Sequence, residues 1–286
     1  MPELPEVEAL AAYLDHQLRG RVIEGIEILA VSALKTYSPG PQDLAGRTVS
    51  GVARRGKMLV IRTDGPALVL HLARAGWARW KEHGPEGRAR PGRGPLALRL
   101  RLQGGGVLDL TEAGTQKRLA AYIVERLEDV PAVARLGIDP LDPAFSAAVL
   151  GQLLAGSRQQ LKGVLTDQSV IAGLGNAYSD EVLHRARMSP FRPAGALTGD
   201  EVVSLHRAIV DCVTEAVARA DGLAASELKD DKRGAMQVHG RTGHACPVCG
   251  DTVRQVAFAD RSLQYCPGCQ TGGKVLADRR LSKLLK

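Results

Sequence analysis

Aromatic side chains make up only 3% of this 286-residue chain. Rows of stacking rings, the common means of holding RNA or single-stranded nucleic acid, are therefore excluded as a leading feature. Long apolar runs are missing too: none approaches the roughly 18 residues that span a bilayer, and the amino terminus lacks the charged-then-apolar layout of a secretory signal. The expectation is a cytoplasmic protein with no membrane partner. No internal repeat or heptad run is present, which excludes solenoids and coiled coils. Cysteine is limited to five residues.

What is present is enough for real cores. Hydrophobic residues reach 44%, and the length suits one large domain or two ordinary ones. The formal net charge of +7 points to an acidic partner, most economically nucleic acid. With so few rings, contact with a duplex backbone fits best. Four of the five cysteines form Cys246-x2-Cys249 and, sixteen residues later, Cys266-x2-Cys269. In a reducing compartment that spacing indicates one structural zinc rather than two disulfides. Cys212 lies on the apolar side of Val202, Leu205, Ile209, Val213 and Val217 and is expected to pack in a core.

The extreme amino terminus, Met1-Pro-Glu-Leu-Pro-Glu-Val-Glu8, sets a proline beside carboxylates. Removal of Met1 would leave a secondary amine. A free α-amino group has a pKa of about 7.7–8.0, so a sizeable fraction is nucleophilic near neutrality. Such an amine attacking an aldehyde-like carbon gives an iminium that acidifies the neighbouring C–H bond, and Glu3 can exchange protons one residue away. The plainer alternative is an amphipathic helix with an acidic start: Pro5 suits a first turn, Val7, Leu10, Leu14 and Leu18 recur at helical spacing, and Gly20 ends it.

Short leucine-rich and β-branched runs at 22–29, 48–53, 58–62, 67–72, 96–102 and 106–110 predict a sandwich or barrel. Residues 83–95, rich in Gly, Pro and Arg, predict a surface loop. Helices are expected over 144–154, over 157–168 with Ser157 and Gln160 as a capping box, over 177–186 with Asn176 as its cap, and over 200–220. The glycines at 173 and 175 allow a ligand to approach closely, and the helix start after them is a natural phosphate seat. Residues 229–234 read as a polar loop. Between the cysteine pairs, two short strands with 259–262 as their turn would present Arg261 at a hairpin tip, suited to a phosphate. His71, His184 and His206 are expected to be packing or surface residues. The tail from Lys274 carries five basic residues against one acid.

Together these pieces resemble the formamidopyrimidine-DNA glycosylase and endonuclease VIII family. The likeness rests on the Pro-Glu-Leu-Pro-Glu-Val-Glu opening, on Lys57 in Arg-Arg-Gly-Lys-Met where the family has a strand lysine, on Gly-Leu-Gly-Asn-Ala-Tyr-Ser-Asp-Glu181, and on His239-Gly-Arg-Thr-Gly followed by the cysteine quartet, with Arg261 five residues before Cys266. The resemblance implies an α+β chain of two domains: an N-terminal β-sandwich with an N-terminal helix, and a helix-two-turns-helix domain with a β-hairpin zinc finger, gripping duplex DNA in the cleft between them. The corresponding segments are 1–130, a 131–143 linker, 144–237, a zinc finger over 238–272 and a basic tail over 273–286. Implied too is a bifunctional glycosylase and abasic-site lyase in which Pro2 attacks C1′ of a flipped nucleotide, Glu3 protonates the sugar ring oxygen, Glu6 supports proton transfer, and β- then δ-elimination follows. Lys57, Arg261, Asn176 and Lys162 would hold phosphates. The expected partner is duplex DNA with damaged bases or abasic sites, met by a monomer in the cytoplasm, at the nucleoid.

Three departures bear on the substrate. Arg74, in His71-Leu-Ala-Arg-Ala-Gly76, stands where members that excise oxidised purines have a void-filling methionine. Their Arg-Phe wedge is replaced within residues 111–119, leaving Gln116, Lys117, Arg118 or Leu119. Only about sixteen residues separate Gly222 from Val238, too few for the lid over an oxidised guanine. A preference other than 8-oxoguanine is expected. The competing readings are a zinc-dependent DNA binder without chemistry and an RNA-binding protein.

Overall fold

The computed structural model describes residues 1–87, 89, 94–113, 115–258 and 261–277. Much of the expected 83–95 loop, the hairpin-tip residues Ala259 and Asp260, and the basic tail from residue 278 on lie outside the described residues. The chain divides into two compact units: Met1–Arg135 with Ala220–Lys229, and Leu136–Arg219 with the chain from Asp230 onward.

In the first unit, helix α1 (Leu4–Leu18) forms where the periodicity placed it, with Pro5 in the first turn and Gly20 at φ +79° just past the end. Val7, Leu10, Leu14 and Leu18 are fully buried. Strands follow as β1 (Ile23–Ile28), β2 (Val49–Arg55), β3 (Met58–Thr63), β4 (Ala67–His71), β5 (Gly76–Lys81), β6 (Leu96–Leu102), β7 (Val107–Glu112) and β8 (Ala120–Val124). They make two four-stranded antiparallel sheets, β1-β6-β7-β5 and β2-β3-β4-β8. The runs in β3 and β4 are continuous rather than alternating because both faces are covered. Leu59, Ile61, Leu68 and Leu70 join the main core with α1, while Met58, Val60 and Val69 pack against Val124 and Val130.

β5 and β8 were not expected. β5 carries two tryptophans among basic residues with no continuous apolar run, and β8 is an apolar stretch of five residues, too short for its period to tell strand from helix. Their partners decide their state: β5 pairs along β7, and β8 closes the second sheet against β4.

The second unit contains α2 (Ala147–Leu154), α3 (Leu161–Thr166), α4 (Asn176–Arg185), α5 (Gly199–Ala220), the hairpin β9 (Arg254–Ala257) and β10 (Ser262–Tyr265), and the single turn α7 (Pro267–Gln270). Three local expectations are corrected. The Ser157–Gln160 capping box does not form; the chain stays extended until Gln160, which is itself the N-cap of α3, while the Ser157 carbonyl accepts from Gly195 N–H. Gly175, not Asn176, caps α4. Residues 229–234 are helical, within α6 (Leu228–Ala235), with Asp230 and Asp231 in the first turn and Lys232 and Arg233 in the last, as the helix dipole favours. No helix among the described residues is long and apolar enough to cross a membrane.

One ion pair is sealed into the first unit. Arg99 on β6 and Asp109 on β7 face each other in register, with Nε–Oδ1 at 2.6 Å and Nη2–Oδ2 at 2.9 Å, and both side chains are almost wholly buried. Burial alone would raise the Asp109 pKa, but the Arg99 bonds, joined by Lys81 at 3.3 Å, outweigh it and leave the carboxyl below its ordinary range. The carboxylate is therefore stabilised by folding: its contribution is present above the unfolded value of about 3.9 and is lost as pH falls through the lower folded value. Asp109→Ala, which strands the Arg99 charge, should cost about 3–5 kcal/mol in urea unfolding at pH 7. An unchanged midpoint would show the pair to be energetically idle.

Candidate active site and zinc centre

The first turn of α1 is set by two carboxylates. Glu3 is the N-cap and Glu6 the third helical residue; Glu3 N–H donates to Glu6 Oε2 at 2.8 Å and the Glu3 side chain accepts from the Glu6 backbone, closing a capping box. Both are almost solvent-free, at 2% and 3% exposure. Pro2 is buried immediately before them and Met1 is exposed. Further along α1, Glu8 Oε2 takes Arg54 Nε at 2.5 Å and Asp15 Oδ1 accepts Val52 N–H at 2.6 Å, which clamps the helix along β2.

That clamp brings in the β2–β3 turn. Lys57 is not in a strand, as expected, but in the two-residue turn Gly56-Lys57 between the paired residues Arg55 and Met58. Gly56 has φ +56°, a conformation that favours glycine at the first turn position. Lys57 is 9% exposed. Met58 pairs with His71 at the end of β4, and burial, then the Lys57 charge, hold His71 below the ordinary imidazole range. The charged form of this half-buried ring is thereby disfavoured.

After β4 the chain makes a tight turn over 72–76. Gly76 N–H donates to Leu72 O at 2.8 Å, and a Cβ at Gly76 would fall 2.0 Å from that oxygen, so only glycine fits. Ala73 takes a left-handed φ of +52°, and Arg74 is exposed at the bend. Among the wedge candidates, Gln116, Lys117 and Arg118 are exposed, and the Arg118 backbone N–H donates to Glu112 Oε1 at 2.7 Å. Leu119 is 2% exposed inside the main core, which removes it from the candidates.

Residues 220–229 pack as part of the first unit. Trp77 Nε1 donates to Ala225 O at 2.9 Å, Lys229 Nζ sits 4.5 Å from the Trp77 ring centroid, and Ala220, Ala225 and Leu228 lie in the main core. This anchorage and α6 together account for most of the interval between Gly222 and Val238.

In the second unit, the glycine turn at 173–175 leads into α4. The Asn176 side chain donates from Nδ2 to Ser262 O at 2.8 Å, linking the helix start to β10. Lys162 Nζ donates to Asn176 O, Ser179 Oγ and Asp180 Oδ1, all within 2.7 Å, and its side chain is only 12% exposed. These three acceptors take up the ammonium protons, so Lys162 braces α3 against α4 in place of the phosphate contact expected of it. Glu181, next along, accepts the backbone N–H groups of Gln237, Val238 and His239 at 2.8–3.0 Å. Arg261 is exposed at the hairpin, where Phe258 N–H donates to its carbonyl at 2.7 Å and its guanidinium lies 5.9 Å from the Phe258 ring.

The four cysteines converge at the base of that hairpin. Cys246 and Cys269 have Sγ atoms 3.8 Å apart and Cys249 and Cys266 3.3 Å apart. Zn–S bonds of about 2.3 Å place tetrahedral sulfurs about 3.8 Å apart, so the donor set fits one zinc ion of the structural kind. Cys269 N–H lies 3.5 Å from Cys266 Sγ, the backbone contact of a metal knuckle. The site would hold the hairpin and its flanking turn in place. Two residues given no site role by the sequence, one of them the histidine expected only to pack or lie at the surface, stand beside it: His184 Nε2 is 3.3 Å from Cys246 Sγ, and Asp180 Oδ2 meets His239 Nδ1 at 2.7 Å and Gln264 N–H at 3.2 Å. The four-residue spacing of 176, 180 and 184, which stacks them on one helix face, was the available signal. Cys212 is half-buried rather than sealed in a core as expected, and burial pushes its thiol up to about 12.

Comparison with known proteins agrees along the whole length. Residues 1–119 match the formamidopyrimidine-DNA glycosylase N-terminal domain, 136–227 the formamidopyrimidine-DNA glycosylase H2TH domain, and 243–272 a zinc finger found in these glycosylases and in isoleucyl-tRNA synthetase. The formamidopyrimidine-DNA glycosylase of Symbiobacterium thermophilum is 37% identical over 98% of this chain and 93% of its own. An uncharacterized formamidopyrimidine-DNA glycosylase-like protein of Mycobacterium tuberculosis is 56% identical over 98% of its length but only 54% of this chain. The Lactococcus lactis formamidopyrimidine-DNA glycosylase, solved with abasic-site DNA, superposes with a TM-score of 0.81 at 26% identity, covering 94% of this chain and 99% of that one. With its paired antiparallel sheets, H2TH domain and one-zinc finger, this chain belongs to the formamidopyrimidine-DNA glycosylase family of base-excision repair enzymes.

Proposed function

We propose that the chain is a bifunctional glycosylase and abasic-site lyase that works through the imino nitrogen of Pro2. With Met1 attached that nitrogen is an amide; methionine removal frees it. It then attacks C1′ of a nucleotide flipped from the duplex, the base leaves, and an iminium joins enzyme and sugar. Glu3 protonates the ring oxygen as the sugar opens, Glu6 relays protons, and β- followed by δ-elimination removes the sugar and leaves a one-nucleotide gap. The observation that carries this reading is the first turn of α1. Two nearly dehydrated carboxylates, each accepting the other residue's backbone N–H, follow Pro2 directly. Arg54, bound to α1 by Glu8, begins the Arg-Arg-Gly-Lys turn that holds Lys57. Lys57, Asn176 and Arg261 contact phosphates in this proposal, and Arg74 with Arg118 supports the strand from which the base is flipped.

Borohydride reduction on an abasic-site duplex should attach the protein covalently to DNA. Pro2→Gly should lose most of that attachment, and mass spectrometry of the active protein should find no initiator methionine. A full-strength cross-link in Pro2→Gly, or one mapped to a lysine, would defeat the assignment.

The lesion taken is proposed to be other than 8-oxoguanine. Arg74 is a charged residue where a void-filling methionine would serve oxidised purines, and the stretch between Gly222 and Val238 is occupied by core anchorage and α6, leaving little chain for a lid. In side-by-side excision on duplexes, oxidised pyrimidines should be removed faster than 8-oxoguanine opposite cytosine; the reverse order would overturn this preference.

Phosphate contact by Arg261 has its own signature. Binding of the family scaffold to duplex DNA should weaken as salt rises, and Arg261→Ala should weaken it uniformly across sequences while lowering the slope of log K against log salt by about one. An unchanged slope would assign Arg261 to the hairpin fold alone.

A further inference from the structure

α4 meets the zinc finger along a single stripe. Asn176, Asp180 and His184 stack one above another, and each reaches the finger: Asn176 to the Ser262 carbonyl, Asp180 to Gln264 N–H and the His239 ring, and His184 to Cys246. The last contact is of a different kind, because its partner is a metal-binding sulfur. His184 Nε2 is 3.3 Å from Cys246 Sγ, the imidazole is 5% exposed, and the cysteine is 2% exposed.

His184 therefore presents a fifth donor atom at a four-coordinate centre. The nitrogen and the sulfurs of Cys246, Cys266 and Cys269 all lie within 4.8 Å of one another, a cluster that could itself hold an ion with Cys249 left out. Sulfur geometry argues for the four-cysteine set. The two close pairs, Cys246 with Cys269 and Cys249 with Cys266, cross between the two Cys-x2-Cys knuckles as the edges of one tetrahedron do. Four thiolates on a divalent ion leave a net charge of about −2. Cys246 Sγ carries part of that charge at a site nearly cut off from water, where an unpartnered acceptor is costly. An N–H aimed at it from a neighbouring helix meets that need.

We propose that His184 is the outer-shell donor of the zinc centre: its Nε2–H bonds to Cys246 Sγ, orients that ligand, and fastens α4 to the metal. His184 is then a positioning residue and not a ligand. This inference stands on the zinc finger alone and is independent of the proline chemistry and of the lesion preference.

The test uses the full chain. Loaded with cadmium-113 and labelled with nitrogen-15 in histidine, the wild-type protein should show a proton on His184 Nε2, coupled to the metal through sulfur. His184→Phe keeps the ring and removes the donor; competition against a chelator should show metal affinity lower by about 10–100-fold. In the cobalt-substituted form of that variant, the thiolate-to-metal charge-transfer band should move to lower energy. His184→Gln, which keeps an N–H at similar reach, should recover most of the affinity, whereas Cys249→Ser should not retain wild-type affinity. An unprotonated Nε2 bonded directly to cadmium, with affinity unchanged in Cys249→Ser, would make His184 a ligand and overturn the proposal. Equal losses in the Phe and Gln variants with no movement of the charge-transfer band would overturn it in favour of packing. The wild-type cadmium measurement decides between donor and ligand even if His184→Phe does not fold.

Discussion

The second unit depends on two adjacent acids in α4 that have been taken out of water and given back their hydrogen bonds from the chain. Asp180 and Glu181 are 1% and 8% exposed. Asp180 splits its oxygens between the Lys162 ammonium and the His239 and Gln264 groups of the metal-binding region. Glu181 collects three consecutive backbone amides from 237–239. Burial pushes the Glu181 carboxyl up, and those three amides act against it. The two carboxylates thus fix where α3 lies and where the chain enters the zinc finger. Neither could be replaced by an apolar residue without orphaning several donors.

The same economy operates at the start of the first unit, in a form that joins stability to chemistry. Glu3 and Glu6 satisfy backbone groups at the first turn of α1, an ordinary capping duty. In the proposed reaction they also move protons. A carboxylate already committed to an amide is held to one rotamer, and that restriction is what a group meant to act on a nearby sugar oxygen requires. The helix cap supplies the rigidity that the proposed reaction calls for.

How much of this was legible beforehand follows from the range of the forces involved. α1, α5, the hairpin and the cysteine quartet are written in local spacing, and each was readable. β5 and β8 were not, because the first is broken by basic residues and the second is too short an apolar run to show a period, and both acquire strand geometry from β7 and β4 across the sheets. α6 was hidden by its charge: Leu-Lys-Asp-Asp-Lys-Arg-Gly-Ala offers no apolar stripe, and Asp230 and Asp231 in the first turn with Lys232 and Arg233 in the last suit the helix dipole. Lys162 looked like a phosphate ligand since nothing in its neighbourhood in sequence reveals that Asn176, Ser179 and Asp180 would surround it. His184 gave only its place in the four-residue series 176, 180, 184, a signal that gains meaning once the finger is known to lie along that face.

The passage of residues 220–229 through the core of the first unit has a consequence for dissection of the protein. Each compact unit is discontinuous in sequence, so no single cut yields two whole folding pieces. A fragment ending near Arg135 would lack the carbonyl that accepts from Trp77 and the apolar side chains of Ala225 and Leu228 that complete its core. A fragment beginning there would carry those side chains with nothing to cover them. A cut near Arg135 therefore severs the first unit from the ten residues that finish its core, and separation of the halves has to carry residues 220–229 with the first.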